Sequence, residues 1–70
     1  MDIAVLVRMA NDIANFFEAY PDRERAVAEI AGHLNNFWDP SMRRQLMAHV
    51  AAGGAGLHDS VKEAVGKIAG

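Results

Sequence analysis

Phe37-Trp38-Asp39-Pro40-Ser41-Met42-Arg43-Arg44 holds the end of one helix, the start of the next and the only tryptophan of the chain. An aspartate ahead of a helix accepts a hydrogen bond from one of its first free backbone N–H groups. Proline suits the first helical position, where its missing N–H costs nothing. Asp39-Pro40 therefore predicts a helix starting at Pro40. Proline also disfavours helical geometry at the residue before it, so an incoming helix must stop by Trp38. Two large aromatics, Phe37 and Trp38, are left at the vertex of a helix pair. Two readings of that vertex are open. It is a core hinge, or it is a docking patch in which Trp38, Arg43 and Arg44 meet another protein, since Trp and Arg are enriched in interface hot spots.

Working outward, the helix after Pro40 runs to about Ala52, with Met42, Leu46 and Val50 on its apolar side and Met47 flanking it. Arg43 projects between Leu46 and Met47. A buried guanidinium needs partners, so either a carboxylate of this chain or an acidic group of a partner protein is expected to meet it. Gly53 and Gly54 end the helix, one of them in the left-handed conformation a C-cap requires, and Gly56 keeps the following turn flexible. Upstream, a helix from about Asp22 to Asn36 buries Val27, Ile30, Ala31 and Leu34, continuing through Phe37 and Trp38. Its other side carries Arg23, Glu24, Arg25 and Glu29, with Arg25 and Glu29 four apart as a surface pair.

The first helix spans Ile3 to Tyr20, where Pro21 stops it. One apolar stripe comprises Ile3, Leu6, Val7, Ala10, Ile13, Ala14 and Phe17, and a second comprises Val5, Met9, Phe16 and Tyr20. Together they cover about 200° of the helix, where a one-sided surface helix needs only ~100°. Such a helix either sits centrally among its neighbours or lends part of its surface to another protein. The arc of Arg8, Asn11, Asp12, Asn15 and Glu18 is expected to face water. A short last helix uses Leu57, Val61, Ala64, Val65 and Ile68 as its buried stripe, and Gly66 and Gly70 weaken it, so its end is expected to fray. The fold class is all-α: one small domain of three main helices and a short C-terminal one.

A domain of 70 residues buries only about 60% of the surface its unfolded chain exposes. Small domains usually add disulfides, a metal or a partner. This chain has no cysteine, and its three histidines, at 33, 49 and 58, are too far apart for a short metal motif. A partner is the remaining support, and the isolated chain is expected to be marginal or to self-associate. No metal or cofactor is expected, because Gly53-Gly54-Ala55-Gly56 lacks the Lys and Ser/Thr of a phosphate loop. A net charge of −2 argues against nucleic acid, which needs a basic face. The uncharged run Val50 to His58 is broken by three glycines and cannot span a bilayer. A start of Met-Asp-Ile without a basic region reads as no secretory signal, and the lack of cysteine fits the cytoplasm.

His58-Asp59-Ser60 contains the residue types of a nucleophilic triad, but consecutive residues at a helix start point apart and cannot form the relay. Helix capping is the expected role. His33 and His49 are read as packing residues. Two rival functions stay in view: an acyl-carrier-like module using Ser60, and a three-helix DNA-binding unit using Arg43 and Arg44. Against catalysis, the candidate functional residues are those of docking. They are Trp38, Arg43, Arg44 and Met47 around the joint, and Met9, Phe16 and Tyr20 on the first helix.

Phe-Trp-Asp-Pro-x-Met-Arg-Arg-x-Leu-x-Ala-His from Phe37 to His49, followed by Gly-Gly-x-Gly-Leu at 53–57, resembles the delta subunit of soluble NAD-dependent, molybdenum-containing formate dehydrogenases. Leu6-Val7-Arg8-Met9-Ala10-Asn11, Ile13-Ala14, Phe16-Phe17, Ile30-Ala31 and His33-Leu34 extend the resemblance over nearly the whole chain. His58-Asp59 stands where that family has a capping residue and proline. The resemblance implies a small, cofactor-free accessory subunit without catalytic residues. Its partner would be the large catalytic subunit, whose assembly, stability or cofactor loading it would support.

Overall fold

Asp2, Asp22 and Asp39 each stand one residue ahead of a helix and set where it begins. In a computed structural model, which describes residues 1–69, the chain forms α1 (Ile3–Phe17), α2 (Arg23–Phe37), α3 (Pro40–Ala51) and α4 (Asp59–Val65). The three carboxylates accept from the amides of Ala4 (3.0 Å), Glu24 (3.0 Å) and Met42 (2.9 Å), satisfying N–H groups that have no helical partner. The expected all-α class, three main helices and one short one, is the observed one.

α1 ends at Phe17 and not at Tyr20. Pro21 has no N–H to donate to the Phe17 carbonyl, so the Tyr20 amide takes that carbonyl at 3.0 Å in a tighter turn. At the joint, Trp38 is extended (φ −92°, ψ 136°) and its amide still donates to Leu34, which stops α2 where Pro40 requires. α3 closes on a Schellman arrangement: the Gly53 amide donates to Val50 at 3.0 Å and the Gly54 amide to His49 at 2.9 Å. Gly53 pays for this with a φ of +118°, open to glycine at little cost. Gly56, expected to keep the turn flexible, adopts a φ of +82°, and its carbonyl accepts from Asn11 Nδ2 at 2.8 Å.

α1 and α4 each touch all three other helices, and α2 packs most extensively on α4. Leu6, Ile30, Leu34, Leu46 and Val61 are fully enclosed, with Ala10 and Ala14 as the close-approach positions of α1. The expected stripe of the last helix, Leu57, Val61, Ala64, Val65 and Ile68, is buried throughout. Its end, expected to fray, is docked in the structure. After Val65 the chain winds on through amides of Lys67 and Ile68 donating to Ala64 and Val65, and the Ala69 amide donates to Asn35 Oδ1 at 2.9 Å. Gly70 lies outside the described residues.

Phe37 and Trp38 part company at the vertex. Trp38 is 4% exposed and Phe37 is 73% exposed, because α2 ends between them and the extended backbone turns successive side chains to opposite sides. Phe37 was expected to continue the buried stripe and does not. The two neighbours should respond oppositely to truncation. Trp38→Ala is expected to cost about 3–5 kcal/mol, comparable to all the stability of so small a domain, whereas Phe37→Ala should stay within about 0.5 kcal/mol. Urea and thermal melts of the two variants check this; equal losses would contradict the division.

Candidate docking surface

The vertex does not present the patch that its sequence suggests. Trp38 belongs to the core. Among the described residues Arg43 meets no carboxylate; it is half-buried and bonds backbone carbonyls. Its Nε donates to the Ala69 carbonyl at 2.7 Å, and its Nη1 donates to the carbonyls of Asn35 (3.4 Å) and Trp38. The physical reason is the end of α2. The last carbonyls of a helix have no intrahelical donors and carry partial negative charge, and a guanidinium offers several N–H groups in a fixed fork. Arg43 therefore caps α2 from the first turn of α3. Arg44 is exposed and Met47 half-buried against the core.

The other expected group lies on α1. Phe16 is 69% exposed, Tyr20 is half-buried, and Met9, two turns ahead of Phe16, is half-buried and packed on the core. The structure extends this group across the seam between α1 and α2. Phe16 and Phe17 meet edge to face with centroids 5.0 Å apart, Phe17 and Tyr20 at 5.8 Å, and Phe17 and His33 at 6.3 Å. His33 and Phe37 continue the series at 4.8 Å. Arg25 lies 5.2 Å over the Tyr20 ring, a cation–π contact, and not against Glu29 as expected. The result is a continuous band of rings ending in two strongly exposed phenylalanines. Sequence reasoning missed Phe37, His33 and Arg25 as members. The spacing of four between His33 and Phe37 was the available signal.

A polar cluster holds α4 to α1. Asn11 and Glu18, on the arc expected to face water, both bond across to the start of α4, Asn11 half-buried and Glu18 still exposed. Asn11 Oδ1 accepts from the His58 amide at 3.0 Å while its Nδ2 holds Gly56. Glu18 accepts from the Ser60 hydroxyl, and His58 Nδ1 lies 3.2 Å from the same carboxylate. His58 precedes α4 without a side-chain cap bond, so the expected capping role of 58–60 gives way to this tertiary one. Ser60 is 1% exposed and is bonded to the acid directly, with no histidine between them; the relay of a triad is not formed. His49 Nε2 lies 2.8 Å from the Ala55 carbonyl, bracing the turn after α3. Among the described residues no group of three or more His, Cys, Asp or Glu gathers where a metal could sit, and no helix is long and apolar enough to cross a membrane.

Residues 5–65 match the family described as NADH-dependant formate dehydrogenase delta subunit, FdsD. The chain belongs to this family. It is the family that the Phe37–His49 motif resembles, and for a formate dehydrogenase delta subunit the matched span contains the joint and the whole aromatic band. No curated protein and no solved structure matches the chain.

Acid sensitivity of this delta subunit should report on Glu18. The Ser60 hydroxyl, above all, holds the Glu18 carboxyl below its ordinary pKa; desolvation opposes this, and the His58 hydrogen bond and the charges of His58 and Arg23 add to the lowering. A group depressed in the folded state contributes its stability fully above its unfolded pKa, about 4.3 for glutamate. That contribution is lost as pH falls through the lower folded value. Glu18→Gln is therefore expected to be destabilised at pH 7, and its deficit relative to the parent should shrink on acidification below about pH 4.3. Urea melts from neutral to acidic pH read this directly, and parallel stability curves would show that the carboxylate is not linked to folding.

Proposed function

We propose that this chain is the non-catalytic accessory subunit that binds the large molybdenum-containing catalytic subunit of a cytoplasmic formate dehydrogenase. There it supports that subunit's assembly, stability or cofactor loading. The observation that carries the reading, beside the family, is the band of rings ending in Phe16 and Phe37, both more than two-thirds exposed. Burying a Phe side chain is worth about 1.5–3 kcal/mol relative to leaving it in water. A 70-residue chain with little stability to spare gains most from a partner that covers such residues. Phe16, Phe37 and Tyr20 act as anchors and Arg25 stays on the Tyr20 ring. Met9 contributes beside Phe16, and Arg44 and Met47 are offered by α3. Trp38 and Arg43 support docking only by holding the two helices in place.

Binding to the folded form alone stabilises it in proportion to the logarithm of partner concentration over Kd. The delta subunit and its partner therefore stabilise one another, and the unassembled chain shields its phenyl rings by self-association. The rival functions lose their residues to the fold. A serine buried under Glu18 does not present its hydroxyl for carrier-type modification. Arg43, spent on carbonyls, is not free to read bases on a chain of net charge −2.

The double variant Phe16→Ser, Phe37→Ser tests the proposal. Capture of the large subunit by the tagged chain is expected to weaken by roughly 30-fold or more, the scale of losing hot-spot anchors, while the melting temperature of the isolated chain holds or rises slightly. Undiminished capture would sink the assignment of this face.

A further inference from the structure

The segment 66–69 is built differently from the helices it closes over. α4 ends at Gly66, and beyond it the amides of Lys67 and Ile68 reach back only three residues, to Ala64 and Val65, the shorter and weaker 3₁₀ pattern. Of the four residues only Ile68 is buried. Two further contacts secure it, both at Ala69: its amide on Asn35 Oδ1 (2.9 Å) and its carbonyl under Arg43 Nε (2.7 Å). One buried side chain, three short-range amide bonds and two solvent-facing hydrogen bonds at Ala69 thus stand against the entropy of ordering four residues, the first of them a glycine.

α2 does not depend on this segment in return. The Arg43 Nη1 bonds to Asn35 and Trp38 cap the helix end whether or not Ala69 is in place. The end of α2 keeps its hydrogen bonds when the segment leaves, so nothing forces the two to open together.

We propose that residues 66–69 form a strap that opens ahead of the rest of the fold, with Asn35 and Arg43 as its latch. Opening withdraws Ile68 from the core cluster and frees the Nε–H of Arg43 beside the gap. It converts a self-contained corner into an apolar slot with a guanidinium donor at its edge. The inference rests on the fold alone and is independent of the docking role of the aromatic face.

Amide hydrogen exchange on the full folded chain tests it. In the parent, the Lys67 and Ile68 amides are expected to exchange through a cheaper opening than those of Leu34 and Val61. In Asn35→Ala they should exchange roughly two- to tenfold faster, the effect of one lost hydrogen bond, with Leu34 and Val61 unchanged. Ala69 loses its own acceptor in that variant and is not the readout. The strap is overturned if Lys67 and Ile68 are as protected as Leu34 in the parent. It is equally overturned if Asn35→Ala leaves their exchange unchanged or moves all four amides together.

Discussion

The Arg43 guanidinium on the carbonyls that end α2 is the interaction on which the rest of the structure depends. Pro40 forces α2 to stop abruptly, and an abrupt stop leaves the last carbonyl groups of the helix without intrahelical donors. Arg43, one turn into the next helix, turns back and satisfies Asn35 and Trp38. The joint is reciprocal: Asp39 caps α3 while α3 caps α2. With both helix ends satisfied, Trp38 can be buried in the corner, and Leu34 and Leu46 can be fully enclosed on the helices either side. A Lys at 43 would offer one point charge where a fork is used.

Once folding has claimed those residues, what it leaves unclaimed becomes informative. Trp38, Asp39, Pro40, Met42 and Arg43 are each accounted for by the joint, whereas Phe37, in the same motif, stands in solvent. It lies at one end of a ring series whose other end is Phe16, on a different helix. Both rings stand largely in solvent in the isolated chain, and under the proposed function they are the anchors that a partner would cover. The polar contacts that brace this face from behind, Asn11 to the 56–58 turn and Glu18 to Ser60 and His58, hold α1 against α4.

The start of α3 was legible in the sequence because its cause is local: Asp39 needs only the next three residues to act as a cap. The core stripes of α2 and α4 were legible from period alone. What was not legible depended on where one helix lies relative to another. A projection around α1 places Asn11 and Glu18 on a polar arc, and only the packing of α4 against that arc turns them into anchors. Arg43 was recognised as needing partners. Sequence offered carboxylates as the obvious ones, since the free carbonyls of α2 appear only once the chain has turned at the joint. Phe37 was misplaced because the stripe was continued to the last residue of α2, whereas it is Trp38, on the extended backbone just beyond, that fills the corner. Trp38 and Phe16, assigned together to docking, divide: one became core, the other stayed outside.

The most direct measurement is hydroxyl-radical labelling of the delta subunit, free and in the assembled formate dehydrogenase. Phe16, Tyr20 and Phe37 are expected to label in the free chain and to be protected in the complex, with Trp38 unlabelled in both. Continued labelling of Phe16 and Phe37 in the complex, with protection confined to Arg44 and Met47, would contradict the account and move the contact to α3.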